Sequence, residues 1–539
     1  MPMTPHESRD LGGGASRAQR QEAGVQALAS IAGTAPSHPG KEVHVSPVPR
    51  RARAAARAHA GRHGRNRYRN PAVLAAREEP RGSLNRSYEI PTVRLRRRLW
   101  LLWTVIIGGC AVGAYRHTDF FLIYRQEPTL MAIWAVLFLF AAVQCLLAWF
   151  ERPYTVKRWD RARLDRLRVT VNIPVYNEDP ALLDRAIYSL ARQTRLPDRV
   201  SVVDDGSKHD YAEVRDWWQA RWPASSEFQW TRQANGGKKR AQARTFAHDP
   251  HADIFITIDS DTALAINAVE EGLKPFADPR VQSVAGLELP MNLRRNWITW
   301  LNGTRSVIWQ LVSCSAQSVL GDVLVNRGTY ALYRAEVIRD NLEAYVEEQF
   351  FGHPVHLGDD AALTLFARGR GRAVQQPSAV QFAMYPETLS HHLRQWVRWM
   401  RGLTVRTFWR IRYLPVWSYG WWFTVMSLWG FFASTATLLS VAALWPESRA
   451  FLLTALGASV GWAWLMALRV FCVARSDESW WVRLRVFLLA PVAAAWVTFV
   501  LRWLRIHGIF TCMKDGWNTR QKVEVGIDGM PEIEPAEVA

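Results

Sequence analysis

The chain has 539 residues, a formal net charge of +19 and 49% apolar residues. That length accommodates a soluble domain together with a membrane portion. Five cysteines, Cys110, Cys145, Cys314, Cys472 and Cys512, fall mostly in apolar context without metal-type spacing, which argues against a disulfide framework and a zinc module.

Residues 1–93 form a basic segment rich in Arg, Ala, Gly and His, with little periodicity and few large apolar residues. Such a composition reads as a disordered tail. It lacks the apolar core of a signal peptide. Anionic lipid heads are the expected partner, because apolar runs follow directly. No aromatic interleaving supports nucleic-acid binding, and no nucleic acid is expected as a partner.

Residues 94–152 read as a transmembrane hairpin. Leu99 to Tyr115 and Thr129 to Phe150 are each about long enough to cross a bilayer as a helix. Arg94, Arg96, Arg97 and Arg98 precede the pair, and Lys157, Arg158, Arg161 and Arg163 follow it. Positive flanks on both sides put both ends in the cytoplasm.

Residues 153–388 have soluble composition. Val169 to Pro174 and Val200 to Val203 read as strands, with a helix from Asp184 to Arg192 between them. This alternation predicts a mostly parallel sheet covered by helices. Residues 389–415 read as interface helices, and 416–505 as C-terminal transmembrane or interface helices. Val486 to Leu501 is short, contains Pro491 and has basic residues on both sides, so it is expected to lie in the interface or re-enter. Residues 506–539 form a last segment and tail.

Chemistry concentrates where strands end. Val175 leads into Tyr176-Asn177-Glu178, Val203 into Asp204-Asp205-Gly206-Ser207, and Ile258 into Asp259-Ser260-Asp261. Each alone reads as a loop with helix-capping residues. Three in order, on strands of one sheet, line the edge where α/β folds bind ligands. Two acids in Asp259-Ser260-Asp261 can hold a hard divalent cation, and the cation a diphosphate. Asn235-Gly236-Gly237-Lys238 adds backbone freedom and a positive charge. Gly358-Asp359-Asp360 opens another helix, whose dipole is expected to keep both acids ionised. Such an Asp can take the proton of an attacking hydroxyl. Gln395, Arg398 and Trp399 stand at i, i+3 and i+4 of a helical stretch from Leu389 to Gly402 and share a face. Arg there can contact a diphosphate, and Trp can stack on a sugar.

These motifs, in this order, resemble those of membrane-bound family 2 glycosyltransferases, in particular hyaluronan synthases and rhizobial chitin-oligosaccharide synthases. Tyr333-Arg334-Ala335-Glu336-Val337, Gln349-Phe350-Phe351-Gly352-His353-Pro354-Val355 and Gly516-Trp517-Asn518-Thr519-Arg520 are similar too. The resemblance spans residues 95–525. It implies an α/β fold: a cytoplasmic GT-A-like (Rossmann-like) glycosyltransferase domain inserted between transmembrane α-helices of a multi-pass plasma-membrane protein.

The resemblance also implies roles. Asp204 or Asp205 would contact the uracil, with Tyr176 and Glu178 beside it. Lys238 and Asp259 would hold the nucleotide. Asp261, with Asp259, would ligate Mg²⁺ or Mn²⁺. Asp360 would be the general base. Gln395, Arg398 and Trp399 would hold the diphosphate and the acceptor sugar. Trp517, Thr519 and Arg520 would close over the donor, as a gating segment. The chain departs from the pattern at Asn326-Arg327-Gly328-Thr329, where the related synthases carry Ser-Gly-Pro or Cys-Gly-Pro. It departs again at Ala361-Ala362, after the acid pair, and at Trp517-Asn518, which replaces Trp-Gly.

The expected function is processive, inverting polymerisation of UDP-sugars: UDP-N-acetylglucosamine, with UDP-glucuronate, giving a hyaluronan-like polysaccharide that is both acceptor and exported product. A chitin-type product from UDP-N-acetylglucosamine alone is the close alternative. A transferase acting on a lipid carrier and a nucleic-acid- or lipid-binding membrane protein are the remoter ones.

Overall fold

The computed structural model describes residues 88–96, 108–109, 112–113, 128–444 and 449–514. Most of the first apolar run and all of Trp517, Thr519 and Arg520 lie outside the described residues. The expected tail is shorter than 1–93. Tyr88 is buried, donates from its hydroxyl to Ala181 O at 3.2 Å and packs edge-on against Tyr188. Val93–Leu95 (β1) pairs antiparallel with Val473–Arg475. Burial of the Tyr88 ring and the pairing of β1 hold this stretch in place. The second apolar run is a helix, Pro128–Phe150 (α1).

The sheet begins with Val169–Val175 (β2), every residue of which is buried. Pro180–Ala191 (α2) starts four residues earlier than its apolar pattern suggests, because the Asp179 side chain accepts from Ala181 N and Pro180 suits the first turn. Arg199–Asp204 (β3) and Glu227–Arg232 (β4) follow. Lys238–His248 (α3) leads to Ile254–Thr257 (β5) and the short Ala263–Leu264 (β6). Val281–Pro290 (β7), helix Trp297–Trp309 (α4) and Ala331–Arg334 (β8) continue the layer. A small hairpin, Gln349–Phe350 (β9) and His353–Pro354 (β10), precedes Asp359–Arg370 (α5) and Arg372–Ala383 (β11).

Eight of these strands form one sheet in the order β4-β3-β2-β5-β8-β7-β11-β6. The left half is parallel, as the apolar runs predict. The right half is mixed. β8 runs antiparallel to both β5 and β7, and β6 antiparallel to β11. This reversal matters for the site. Ala331 pairs with Thr257, so the loop before β8 is delivered to the carboxyl end of β5, beside Asp259. Helices on both faces bury a continuous core of Val171, Ile173, Leu183, Ile187, Val202, Ile256 and Leu332. Burial of such side chains contributes roughly 1.5–3 kcal/mol each.

Leu389–Tyr413 (α6) runs eleven residues past Gly402, the expected end. Tyr419–Leu444 (α7) and Arg449–Ala467 (α8) follow, then Val473–Arg475 (β12) and Trp480–Trp496 (α9). Among the described residues, two helical stretches are long and apolar enough to cross a membrane, Tyr419–Ser440 and Trp480–Phe510. The second contains Val486 to Leu501 within a helix longer than the apolar run itself. Helix runs from Trp480 through Pro491, widens at Val497–Leu501 and continues to Phe510, giving 31 residues. Reading Pro491 as a limit underestimated it, because a bundle can re-satisfy the freed carbonyl locally.

Candidate active site

Three strand ends and one glycine loop are tied to each other before any ligand is considered. Asn177 N donates to Ser207 Oγ at 3.0 Å, joining the β2 and β3 loops. Ser260 Oγ donates to Glu178 Oε2 at 2.9 Å, joining the β5 and β2 loops. Asp205 accepts from Gly236 N at 2.9 Å, Gly237 N at 2.8 Å and Gln233 Nε2 at 2.7 Å. Gly206 has φ +78°, and a Cβ there would lie 2.8 Å from Asn235 N. Only glycine satisfies both demands.

Asp204 and Asp205 therefore spend their carboxylates inside the protein. Asp204 accepts from Ser207 N at 2.9 Å and pairs with Arg232 at 3.4 Å. Burial pushes Asp205 above the usual carboxylate range, against the pull of its three donors. Asp205 lines the cavity, but its geometry is that of a clamp on the Gly236-Gly237 loop.

That loop sets the start of α3 and the position of Lys238. Its Nζ lies 2.7 Å from Asp259 Oδ1 and 3.1 Å from Asp359 Oδ2. Burial alone would lower its pKa, but the two carboxylates outweigh burial and hold it above the ordinary range. Asp359 is opposed by burial and still held low, chiefly by Lys238. Asp360 behaves differently. Burial first, then the Asp359 charge, raise it to about 6, with Lys238 pulling the other way. The helix N-terminus does not keep both acids in the ordinary range, because two adjacent buried carboxylates share one ammonium.

Gly358, at φ +71°, turns the chain into α5. A Cβ on Gly402 of α6 would lie 3.5 Å from Gly358 N, so the two glycines let α6 pack close to the acid pair. The same cavity is lined by Gln395, Arg398 and Trp399 of α6. Trp396 Nε1 donates to Leu501 O at 3.2 Å, fixing α6 to the 480–510 helix.

A carboxylate below the site connects these parts. Glu348 Oε2 accepts from Lys239 Nζ at 2.8 Å and from Arg406 Nη2 at 2.6 Å. Its Oε1 accepts from Arg406 Nη1 and from Trp409 Nε1, the latter at 3.1 Å. Lys239 also donates to Val355 O at 2.6 Å, and Arg406 to Leu357 O at 3.3 Å. One side chain thus joins α3, α6 and the segment that delivers Asp359 and Asp360.

Tyr176, Glu178, Asp205, Lys238, Asp259, Asp261, Asp360, Gln395, Arg398 and Trp399 all line one cavity of about 1810 Å³. Asp204 does not line it. Beyond the sheet edge the cavity continues between apolar helices, past Phe138, Ser427, Gly461, Ala494 and Thr498. Sequence reasoning missed Glu288, Arg305 and Tyr385 in the wall, and noted Arg327 only as a departure. A lone Glu in the apolar strand Val281–Pro290 was the available signal. Glu348 lies one residue before a segment read only for its resemblance.

A family model described as "Glycosyl transferase family group 2" matches residues 254–513. A hyaluronan synthase of Streptococcus pyogenes is 30% identical over 407 residues, covering 72% of this chain and 90% of that one. An N-acetylglucosaminyltransferase of Rhizobium meliloti (strain 1021) is 32% identical over 243 residues, covering 44% and 56%. Among solved structures, a Pyrobaculum calidifontis mannosyltransferase in complex with GDP-Man and Mn²⁺ aligns with TM-score 0.46 and 21% identity, over 69% of this chain and 99% of that one. The chain belongs to the family 2 glycosyltransferases, and the enzyme is a glycosyltransferase.

Proposed function

We propose that the protein is a processive, inverting glycosyltransferase that polymerises UDP-sugars and passes the growing polysaccharide across the plasma membrane. The observation that carries this reading is the continuity of one cavity from the strand-end acids into the space between apolar helices. A transferase that releases a small product has no need of such a path. The cavity's charge is segregated. Glu178, Asp205, Asp259, Asp261, Asp359 and Asp360 gather at the sheet edge, while Arg305, Arg398, Arg502 and Arg505 line the helical side. A cationic passage suits an acidic polymer. UDP-N-acetylglucosamine with UDP-glucuronate is therefore the favoured donor pair.

The nucleotide would lie against Tyr176, Glu178 and Lys238, with Asp205 holding the Gly236-Gly237 loop beside it. Asp259 and Asp261 offer hard oxygen donors, and a magnesium-type ion takes one or two carboxylates and completes its shell with phosphate and water. Two acids at the cavity wall fit that demand. Asp259 already holds Lys238, so Asp261 would be the principal ligand for Mg²⁺ or Mn²⁺. Bound there, the ion supplies charge neutralisation for the departing diphosphate.

Asp360 takes the proton of the acceptor hydroxyl as its oxygen bonds to the anomeric carbon. The bond from that carbon to the diphosphate oxygen breaks, and UDP leaves with the electron pair. One displacement inverts the carbon, and no carboxylate nucleophile is needed. A base near pKa 6 is mostly deprotonated at neutral pH yet still accepts a proton readily. Trp399 gives the acceptor sugar a face to stack on, and Gln395 and Arg398 supply donors. Trp517, Thr519 and Arg520 are proposed to close over the donor.

We place the catalytic domain (153–388) in the cytoplasm, where UDP-sugars are available, with 94–152 and 416–505 in the membrane and 389–415 at its surface.

The test is full-length protein in lipid nanodiscs with single donors and donor pairs, with Mg²⁺ or Mn²⁺, reading UDP release and product length. Polymer only with both donors supports the reading. Polymer from UDP-N-acetylglucosamine alone assigns the chitin-type alternative, which the rhizobial relative favours. Single-sugar transfer without polymer overturns processivity.

A further inference from the structure

We propose that Arg305 and Arg327 form a carboxylate-reading subsite on the acceptor side of the cavity, one that recognises a uronate unit of the sugar chain. The inference rests on the polymerase reading above and goes further, because it assigns the choice of polymer to two side chains.

The starting point is a count of charge. Arg305, Arg327 and Glu288 all line the cavity. Glu288 is almost fully buried and its oxygens are occupied. Oε1 accepts from Arg327 Nη1 at 2.5 Å and from the Tyr385 hydroxyl, and Oε2 from Thr329 Oγ1 at 2.7 Å. Arg327 spends a second bond from Nη1 on Ser306 Oγ at 2.9 Å. One carboxylate thus answers one guanidinium and leaves the other over.

Arg305 is the remainder. Its Nη2 donates to the neutral Asn302 Oδ1 at 2.9 Å, and its guanidinium lies 4.6 Å from the Trp396 ring centroid. It has no carboxylate partner among the described residues, and its Nε is buried without an acceptor. Burial and the nearby Arg327 lower its pKa to about 10, so it is still a cation at neutral pH. A ring face returns only part of what desolvating a guanidinium costs, and the rest is recovered when an anion arrives.

The surroundings say which anion. Arg327 lies 5.2 Å from the Trp309 centroid, so two cations each stand beside an indole on the cavity wall. Indole faces are surfaces for pyranose rings, and a guanidinium matches a planar carboxylate with two parallel hydrogen bonds. A sugar that carries its own carboxylate uses both. The cation proposed above for the donor's nucleotide is Lys238, at the sheet edge among Asp259 and Asp359. Arg327 stands in the loop that precedes β8. Its pairing with Glu288 is what leaves Arg305 available.

The experiment measures binding to full-length protein in nanodiscs of three probes. They are an oligosaccharide alternating N-acetylglucosamine with glucuronate, the same oligosaccharide with each carboxyl reduced to a neutral alcohol, and UDP. Wild type is expected to prefer the acidic oligosaccharide by at least about 10-fold, the scale of a charge-assisted hydrogen-bonded pair. Arg305→Gln is expected to abolish that preference and leave UDP affinity unchanged, and Arg305→Lys to retain part of it. Equal binding of the acidic and reduced sugars by wild type overturns the subsite whether or not any variant folds. An undiminished preference in Arg305→Gln overturns it too. Loss of UDP affinity in Arg305→Gln gives the anion as the diphosphate and overturns it as well. Donor assays keep the two readings apart. Wild type that copolymerises both donors without this preference loses the subsite alone, whereas wild type that forms no polymer loses the polymerase reading.

Discussion

Lys238 Nζ stands 2.7 Å from Asp259 Oδ1, and so joins the end of a sheet strand to the acid pair that opens another helix, 3.1 Å away at Asp359. The ammonium serves two purposes. It neutralises a cluster of buried acids, and it lowers the pKa of Asp360. Lys238→Met keeps the length and removes the charge. We expect kcat/KM for the donor to fall by about 100-fold, near the loss of one strong electrostatic contact at a reaction centre. The remaining activity should have its acid limb at higher pH, because Asp360 loses the cation that favours its ionised form. UDP release measured across pH checks both; a limb at unchanged pH would mean that Lys238 does not sense Asp360.

The pH dependence of wild type follows from the same group. Asp360 must be deprotonated to act as base, and burial with Asp359 raises it to about 6. Activity should be full above that value and decline as pH falls through it. Asp359→Asn removes the neighbouring charge while burial stays. The acid limb should then move to lower pH. Asp360→Asn should lose about 1000-fold or more at every pH, since no second base takes over.

Asp205 gives a different expectation from a residue that touches the base of the nucleotide. It accepts from both Gly236 N and Gly237 N, so Asp205→Asn loses acceptors on the loop that places Lys238. We expect affinity for UDP to weaken by roughly 10-fold, the scale of one or two hydrogen bonds to a charged group. Uridine alone should bind Asp205→Asn nearly as well as wild type. A large loss for uridine would return Asp205 to direct base contact.

Much of this site was readable in the sequence because strand-end loops announce themselves. An apolar run that stops at Asp259 or Asp204 has only one edge to stop at, and the face shared by Gln395, Arg398 and Trp399 follows from helical spacing alone. Contacts between segments distant in the chain were not readable. The antiparallel β8, whose preceding loop brings Gly328 beside Asp259, has the same composition as a parallel strand. The pairing of Glu288 with Arg327 spans 39 residues, and no local pattern encodes it. The order at Tyr88–Arg96 depends on partners near residues 181 and 475. The ionisation of Asp359 and Asp360 depends on burial, which a helix N-terminus in the sequence does not reveal.

Glu348 tests whether the acid pair is positioned from below. Its carboxylate meets two buried cations, Lys239 and Arg406, and its pKa is held low although burial opposes this. Glu348→Gln leaves both cations with a neutral amide. Breaking a buried ion pair from one side costs about 3–5 kcal/mol. We expect a marked fall in thermal stability of the detergent-solubilised protein, together with a lower kcat, because Lys239 and Arg406 also bond to the carbonyls of Val355 and Leu357 just before the acids. A triple variant, Lys239→Met with Glu348→Gln and Arg406→Met, removes the stranded charges. It should recover most of the stability, as neutral replacements of buried ion networks commonly do. It should not recover kcat, since the bonds from Lys239 and Arg406 to the carbonyls of Val355 and Leu357 are then gone. Recovery of both would make Glu348 a stabilising group with no part in placing the base.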